Sequence, residues 1–465
     1  MSTDNTHFGA QGIRTMTEKC RSFFFIGVGG VNMSSLALIT KERGFLVGGS
    51  DRTKTEVTER LSALGIEVFY SHEATHVETY DAVVYTVAIS ADNPEYIRAK
   101  ERGIPLISRA DYLGFLMTDY KNRVGISGMH GKSTTTSMCA QIFMSAGVDP
   151  MVLSGAVMRS MGNAYRIGGK EHFIFEACEY MDSFLDFYPN IAVILNIEMD
   201  HVDYFKSMEH IRQSYRKFAE KTLPNGFVVA NGDDENVKEA LAGMTGRVIR
   251  FSLWDTNADF YACNQTQLCG RPRFDIMAFG KFFCHVEMKT VGKHHVQDAL
   301  AAAASAYLCG LDGEAVAKGL ADFCGAERRM EYKGKFMGAD VYDDYGHHPT
   351  EVKTTLEGAA AMGYCRTFCV FQSHTYSRTA GLFDEFIGAF GSVNEAIIAD
   401  IYAAREIDTG IVSGKKLAEA LPNGKYVGDF DAIVAYLKEI LREGDLVVVM
   451  GAGDIYRIFK KMGLA

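Results

Sequence analysis

No C-x-x-C pair occurs anywhere in this 465-residue sequence. Its 10 cysteines are scattered from Cys20 to Cys369, which excludes a disulfide framework and a zinc site and points to reduced thiols packed in cores. Prolines number 8 against 46 glycines, too few for extended disordered tracts. No apolar run approaches the roughly 20 residues of a membrane span. The longest uncharged small-apolar stretch, Ala299 to Leu311, reads as a soluble helix. Residues 1–20 are polar and hold no apolar core before a small-residue cleavage site, so a cytoplasmic protein with a mobile N-terminal tail is expected. Basic charge is also short: 48 Lys and Arg against 58 Asp and Glu leave a net −10. That balance opposes nucleic acid and anionic lipid as partners, so any anionic ligand must be held by a local site.

What the chain does have is α/β order. At roughly 150 residues per domain, its length suggests about three domains. Apolar runs at Phe23–Val28, Val83–Ile89, Arg123–Ile126, Ile191–Ile197, Phe227–Ala230, Val341–Tyr342, Thr367–Phe371, Ala396–Ile401 and Leu446–Met450 alternate with helical patterns. Such runs predict buried, mostly parallel strands. Three of them feed glycine turns, at Gly27-Val28-Gly29-Gly30, Gly128-Met129-His130-Gly131 and Gly451-Ala452-Gly453. Joints are placed near residues 121 and 326, giving domains over 1–121, 122–326 and 327–465.

The second turn carries the clearest chemistry. The strand Arg123–Ile126 runs into Gly128-Met129-His130-Gly131-Lys132-Ser133-Thr134 and then a helix. Glycines let backbone N–H groups converge on phosphate oxygens, Lys132 neutralises the β and γ phosphates, and the Ser133 hydroxyl suits Mg²⁺. The spacing is G-x-x-G-K-S, shorter than the common phosphate-loop pattern. The first turn, with Asp51 ending a second strand, predicts a diphosphate site, although Asn32 stands where a dinucleotide fingerprint has its third glycine. Downstream, strand Phe173–Phe175 ends at Glu176, and strand Ile191–Leu195 leads to His201. If both strands flank the loop strand, these residues reach the carboxyl edge where ligands bind in open α/β sheets. Two more polar clusters, Asp343 to Glu351 and Gln372 to Thr379, follow strands and suggest substrate contacts, with Arg378 as a fork for a carboxylate.

Taken in order, Gly27-Val28-Gly29-Gly30 with Met33-Ser34, His130 to Thr135, Glu176 to Glu179, Asn196 to His201, Asp343 to Glu351, Phe371 to Thr379 and Met450 to Ile455 resemble the Mur ligases of peptidoglycan synthesis. The resemblance covers nearly the whole chain after residue 20. It implies an N-terminal Rossmann-like domain for a UDP-sugar, a central ATPase-like domain with a mostly parallel sheet, and a C-terminal Rossmann-like domain for the amino acid. The Gly-Val-Gly-Gly turn and the Asp343 to Glu351 string imply joining of L-alanine to UDP-N-acetylmuramate with ATP as co-substrate. The alternatives are a ligase that recycles murein tripeptide and a paralogue that binds nucleotide sugar without turnover.

The resemblance also implies roles. Gly27, Gly29, Gly30, Met33, Ser34 and Asp51 would serve the UDP-sugar. Gly128, His130, Gly131, Lys132, Ser133, Thr134, His295, Asp298, Arg329 and Asp344 would serve ATP. Ser133, Glu176 and His201 match positions for Mg²⁺ or Mn²⁺; Tyr345, His348, His374 and Arg378 match substrate positions, and Lys132, Glu176, His201 and Arg378 the catalytic set. Monomer and homodimer are both open. The chain departs from the family pattern at Asn32, Cys178, Thr375, His295 and Asp298.

Overall fold

The structure, a computed structural model, describes residues 3–201, 204–222, 225–404 and 406–464. The chain forms two compact units. One comprises Met1–Val157, Met161–Ile197 and Arg212–Ile249; the other comprises Met158–Ser160, Glu198–Ile211 and Arg250–Ala465.

The first unit begins with a parallel sheet of five strands, β1 (Ser22–Ile26), β2 (Leu46–Ser50), β3 (Glu67–Phe69), β4 (Ala82–Tyr85) and β5 (Leu106–Ser108), in the order β3-β2-β1-β4-β5. Phe23, Phe24, Phe25 and Ile26 are buried on both faces of the central strand, as a sheet covered by helices on each side requires. Helix starts follow local chemistry. Asn93 caps Pro94–Arg102, accepting the Glu95 and Tyr96 N–H groups, and Gly103 closes that helix at φ +66°. The tail expected over residues 1–20 is instead ordered across the residues described there. Gly9–Thr17 is a helix packed on the helix Arg109–Met117, and the Phe8 and Gly9 N–H groups donate to Asp111. Residues 1 and 2 lie outside the described set. Ile13 and Thr17 are the inward face of a short amphipathic pattern that the polar composition of this segment masks.

A second sheet in this unit contains β6 (Asn122–Ser127), β7 (Met151–Met158), β8 (Asn163–Arg166), β9 (His172–Glu176), β10 (Ile191–Ile194) and β11 (Phe227–Asn231). Their order is β11-β10-β6-β9-β7-β8, with β9 and β10 flanking β6 in parallel as expected.

The second unit holds two further assemblies. Phe251 and Ser252 of β12 (Arg247–Ser252) pair in parallel with β13 (Phe260–Leu268), which meets β14 (Arg271–Ala278) and β15 (Lys281–Glu287) in an antiparallel meander. The six strands β16 (Glu331–Phe336), β17 (Ala339–Asp344), β18 (Arg366–Phe371), β19 (Glu395–Ala399), β20 (Gly424–Gly428) and β21 (Asp445–Met450) run in the order β16-β17-β21-β18-β19-β20, parallel except for β16.

The antiparallel strands correct the expectation of apolar runs alone. In β14 buried residues alternate with partly exposed ones, and the hairpins turn through Cys269-Gly270, Phe279-Gly280 and Met337-Gly338, each with both residues at positive φ. The run Ala299 to Leu311 lies in the buried helix His294–Leu308 as far as Leu308 and leaves it at Cys309. Among the described residues no helix is long and apolar enough to cross a membrane.

Candidate functional site: a phosphate loop and a carboxylate-bearing cluster

In the first unit, β6 delivers the chain into the phosphate loop. Gly128 sits at φ +145°, where a Cβ would stand 2.9 Å from Leu195 Cβ, and Gly131 turns at φ +80° into the helix Lys132–Ser145. That helix start has no side-chain cap, so its first N–H groups and the dipole face the loop. Asn196, just past β10, clamps the loop from the side: its carbonyl accepts the His130 N–H at 2.9 Å and its amide donates to the His130 carbonyl at 3.1 Å. The sequence alone assigns Asn196 no role.

The Lys132 ammonium donates to the carbonyls of Gly128 and Met129 and pairs with Glu179 at 3.0 Å. Burial works against its charge, but Glu179 outweighs burial and holds the lysine above its ordinary pKa. Glu179, almost fully buried, is thus a site residue that sequence reading passed over in favour of Glu176. Glu176 itself ends β9, and its carboxylate accepts the Ser154 hydroxyl at 3.1 Å and the Gly155 N–H at 2.5 Å. A Cβ at residue 155 would lie 2.7 Å from that carboxylate. The Ser133 hydroxyl has no protein partner among the described residues, while Thr134 is buried. A hydroxyl and a carboxylate are the hard oxygen donors that Mg²⁺ or Mn²⁺ takes, so these residues fit the ion.

The first glycine turn differs from expectation in its donors. Gly27 and Val28 N–H both go to the Ser50 carbonyl, Gly29 N–H to Asp51 Oδ2 at 3.0 Å, and Gly30 N–H to the Gly27 carbonyl. The turn amides are therefore spent on the turn. The first-turn amides of the uncapped helix Val31–Glu42 remain for an anion. Glycine is needed at 27 and 29, where a Cβ would stand 2.8 Å from Thr86 Cγ2 and from Asp51 Oδ2. Met33 and Ser34 face inward rather than toward a ligand. Met33 is core, and the Ser34 hydroxyl donates to the Val31 carbonyl at 2.9 Å.

In the second unit, Arg378 is not a solvated surface residue. Its fork lies on Asp200, with Nε to Oδ1 at 3.1 Å and Nη2 to Oδ1 at 3.0 Å, and both side chains are nearly buried. Burial alone would raise the Asp200 carboxyl, but His201 and Arg378 overcome it and hold it far below the usual range. His201 adopts φ +49° and donates its N–H to Asp200 Oδ1 at 2.7 Å. Arg378 Nη1 also donates to His374 Nδ1 at 3.2 Å, which fixes the His374 tautomer.

Around this pair, His347 donates Nδ1–H to the Tyr345 carbonyl at 3.1 Å, and burial pushes its pKa down to about 4 against the opposing Glu351 charge. Its Nε2 then carries a lone pair. His348 is instead the cap of the helix Pro349–Ala360, in a capping box with Glu351, and its Nε2 meets the Met199 carbonyl at 3.3 Å. Asp344 is likewise committed: its two oxygens accept the Met330 and Gly346 N–H groups at 2.9 and 2.7 Å, so it shapes the loops that carry Arg329 and Tyr345. The guanidiniums of Arg328 and Arg329 both lie over the Tyr345 ring, 5.0 and 5.5 Å from its centroid. His295 and Asp298 are buried early in the helix His294–Leu308, and burial, with charge from Arg329 adding, keeps both His294 and His295 neutral.

Comparison with known proteins places this arrangement. A family model described as the Mur ligase middle domain matches residues 126–306, one described as the Mur ligase family catalytic domain matches 22–121, and one described as the Mur ligase glutamate ligase domain matches 328–453. A UDP-N-acetylmuramate–L-alanine ligase of Caldanaerobacter subterraneus subsp. tengcongensis is 45% identical, covering 96% of this chain and 97% of its own. One from Clostridium novyi is 44% identical over 93% and 95%. Among solved structures, the UDP-N-acetylmuramate–alanine ligase MurC of Thermotoga maritima superposes with a TM-score of 0.79 at 26% identity, covering 95% of this chain and 98% of its own.

Proposed function

From the premise that the chain belongs to the Mur ligase family, we infer that it is an ATP-dependent ligase joining L-alanine to the carboxylate of UDP-N-acetylmuramate in peptidoglycan precursor synthesis. The observation that carries the catalytic reading is Lys132, a partly buried cation held charged by the buried Glu179 inside an intact phosphate loop.

A carboxylate is a poor electrophile, and the γ-phosphoryl of ATP converts its oxygen into a leaving group. One carboxylate oxygen attacks phosphorus, ADP departs and an acyl phosphate forms. The alanine amine then attacks the carbonyl carbon, inorganic phosphate leaves with the acyl C–O bond, and the amine loses a proton. The first step brings two anions together. Lys132, the Gly128–Gly131 backbone and the helix dipole of Lys132–Ser145 offset that repulsion. Ser133 and Glu176 would hold Mg²⁺ or Mn²⁺, which supplies charge neutralisation on the phosphates.

His347 presents an acceptor nitrogen, since its Nδ1 proton is committed to a carbonyl, but burial opposes its protonation and makes it a weak base for the amine proton. His374 is a worse candidate because its Nδ1 lone pair is already used by Arg378. We assign residues 1–121 to the UDP-sugar, 122–326 to ATP and 327–465 to the amino acid. His295, Asp298 and Arg329 are read as nucleotide contacts, and Tyr345, His374 and Arg378 as substrate contacts. The protein is read as cytoplasmic, where these precursors are made.

The test is one assay with purified protein, ATP, Mg²⁺ and UDP-N-acetylmuramate, adding each amino acid or murein tripeptide separately. ADP release dependent on L-alanine supports the reading. Release with tripeptide alone makes it a recycling ligase, and nucleotide binding without any release makes it a non-catalytic paralogue.

A further inference from the structure

The turn that follows β11 has no role in the reading above. β10 ends at Ile194, and in the irregular backbone beyond it Leu195 and Ile197 are buried on either side of Asn196. Buried peptide groups outside a strand ladder need partners. The Leu195 N–H donates to the Ser127 carbonyl at 3.0 Å, and the other three peptide groups of these two residues go to side chains of one turn, Asn231 to Asn236. Asn231 Nδ2 donates to the Leu195 carbonyl at 2.8 Å, the Ile197 N–H donates to Asp234 Oδ2 at 3.2 Å, and Asn236 Nδ2 donates to the Ile197 carbonyl at 2.9 Å.

Each of these side chains is itself oriented from behind. Asn231 Oδ1 accepts the Asp233 N–H at 2.9 Å, Asp234 Oδ1 caps the helix Glu235–Leu241 by accepting the Val237 N–H at 2.9 Å, and Asn236 Oδ1 accepts from Arg212 Nη1 at 3.3 Å. With a carbonyl at one end and a donor at the other, both carboxamides have a single orientation. An aspartate at 236 would keep the contact with Arg212 and set a carboxylate oxygen against the Ile197 carbonyl.

What this turn holds is the residue that holds the phosphate loop. Asn196 bonds both the N–H and the carbonyl of His130, so it fixes two successive peptide planes. In a trans peptide the N–H points opposite the carbonyl. With the His130 carbonyl turned toward Asn196, the Gly131 N–H is turned away from it, at the start of the uncapped helix that draws an anion.

We propose that Asn231, Asp234 and Asn236 are positioning residues for phosphoryl transfer, acting through Asn196 to aim the amides of the phosphate loop at the triphosphate. The proposal rests on the reading that this loop binds ATP. Donors stabilise developing charge best when they are already in place, and these ties supply that rigidity. If the three side chains only satisfied buried backbone, their loss would lower stability and leave ATP kinetics untouched.

A double-mutant cycle of Asn236→Asp and Asn196→Ala on the full chain separates the two. Each single substitution lowers kcat/KM for ATP by about tenfold, chiefly through KM, as loss of one well-placed hydrogen bond does. KM for L-alanine and the affinity for UDP stay at the wild-type values. The double variant matches Asn196→Ala alone, since the tie has nothing to position once that carboxamide is gone. Effects that multiply, or a lower melting temperature with unchanged kcat/KM for ATP, overturn the proposal. If Asn236→Asp does not fold, Asn231→Ser, which drops the bond to the Leu195 carbonyl, takes its place in the cycle. Hydrogen exchange on nucleotide-free wild-type protein gives a second reading: slow exchange of the His130 and Ile197 amides supports the ties, and exchange at the rate of a free loop overturns them. Wild-type protein that neither binds nor turns over ATP rejects the reading of the loop and the proposal with it, whereas a multiplicative cycle rejects the proposal alone.

Discussion

Arg378 and Asp200 form a nearly buried ion pair with nitrogen and oxygen 3.0 Å apart, and the same guanidinium donates to His374. The arginine therefore joins a loop that follows β10 to the loop that follows β18. A fork that makes several directed contacts has no equivalent in a point charge.

Arg378→Lys is accordingly not conservative. Lysine can keep the attraction to Asp200 but loses either the second contact on the carboxylate or the contact on His374. The expected result is a fall in kcat/KM for L-alanine or UDP-N-acetylmuramate on the order of tenfold or more, about 1.4 kcal/mol of transition-state stabilisation. Steady-state kinetics with each substrate varied checks it, and unchanged values for both would remove Arg378 from the substrate group.

Lys132→Ala abolishes turnover while UDP binding survives, because the sugar nucleotide is assigned to the first glycine turn. Glu179→Gln tests the missed partner. It weakens the field that keeps Lys132 charged without changing shape, so kcat falls while UDP affinity stays constant. Loss of UDP affinity in a folded Lys132→Ala protein would show that the two turns do not divide the work as proposed.

His295 and Asp298 stand where the family pattern has other residues, and both are buried in the first turns of one helix. An ionised Asp298 accepts from an adenine amino group and repels the guanine carbonyl, while a neutral His295 can donate one N–H. His295→Ala is expected to raise KM for ATP more than it lowers kcat, and Asp298→Ala to narrow the preference for ATP over GTP. Kinetics with both nucleotides settle it. A lower melting temperature with an unchanged ATP/GTP ratio would leave Asp298 a purely structural residue.

Acid pH has a defined effect on stability. His294 and His347 are pushed by burial from the ordinary 6.5 down to about 4, so the unfolded chain binds protons that the native protein refuses. Their contribution is fully present above pH 6.5 and is lost as pH falls toward 4. Each is worth at most about 3 kcal/mol across that window. Thermal melts from pH 8 to pH 5 should show a shallower decline for His294→Gln and His347→Gln than for wild type. Parallel curves would mean that neither ring resists protonation in the native state.

The sequence by itself determined the local grammar of this protein. Apolar runs marked the parallel strands, glycines marked the turns that a Cβ would block, and Gly131-Lys132-Ser133 marked the phosphate loop, because each depends on neighbours a few residues away. Tertiary structure decided which polar groups spend their hydrogen bonds on the fold and which keep them for a ligand. Glu179 pairs with Lys132, Asp344 is used up on two backbone amides, His348 caps a helix while His347 keeps a lone pair on Nε2, and Asp200 occupies the fork of Arg378. These pairings join residues up to 178 positions apart in the chain. A carboxylate or an imidazole has the same chemistry at every position in a sequence. Burial and the partner brought to it by folding set its charge, its tautomer and its remaining capacity to bind.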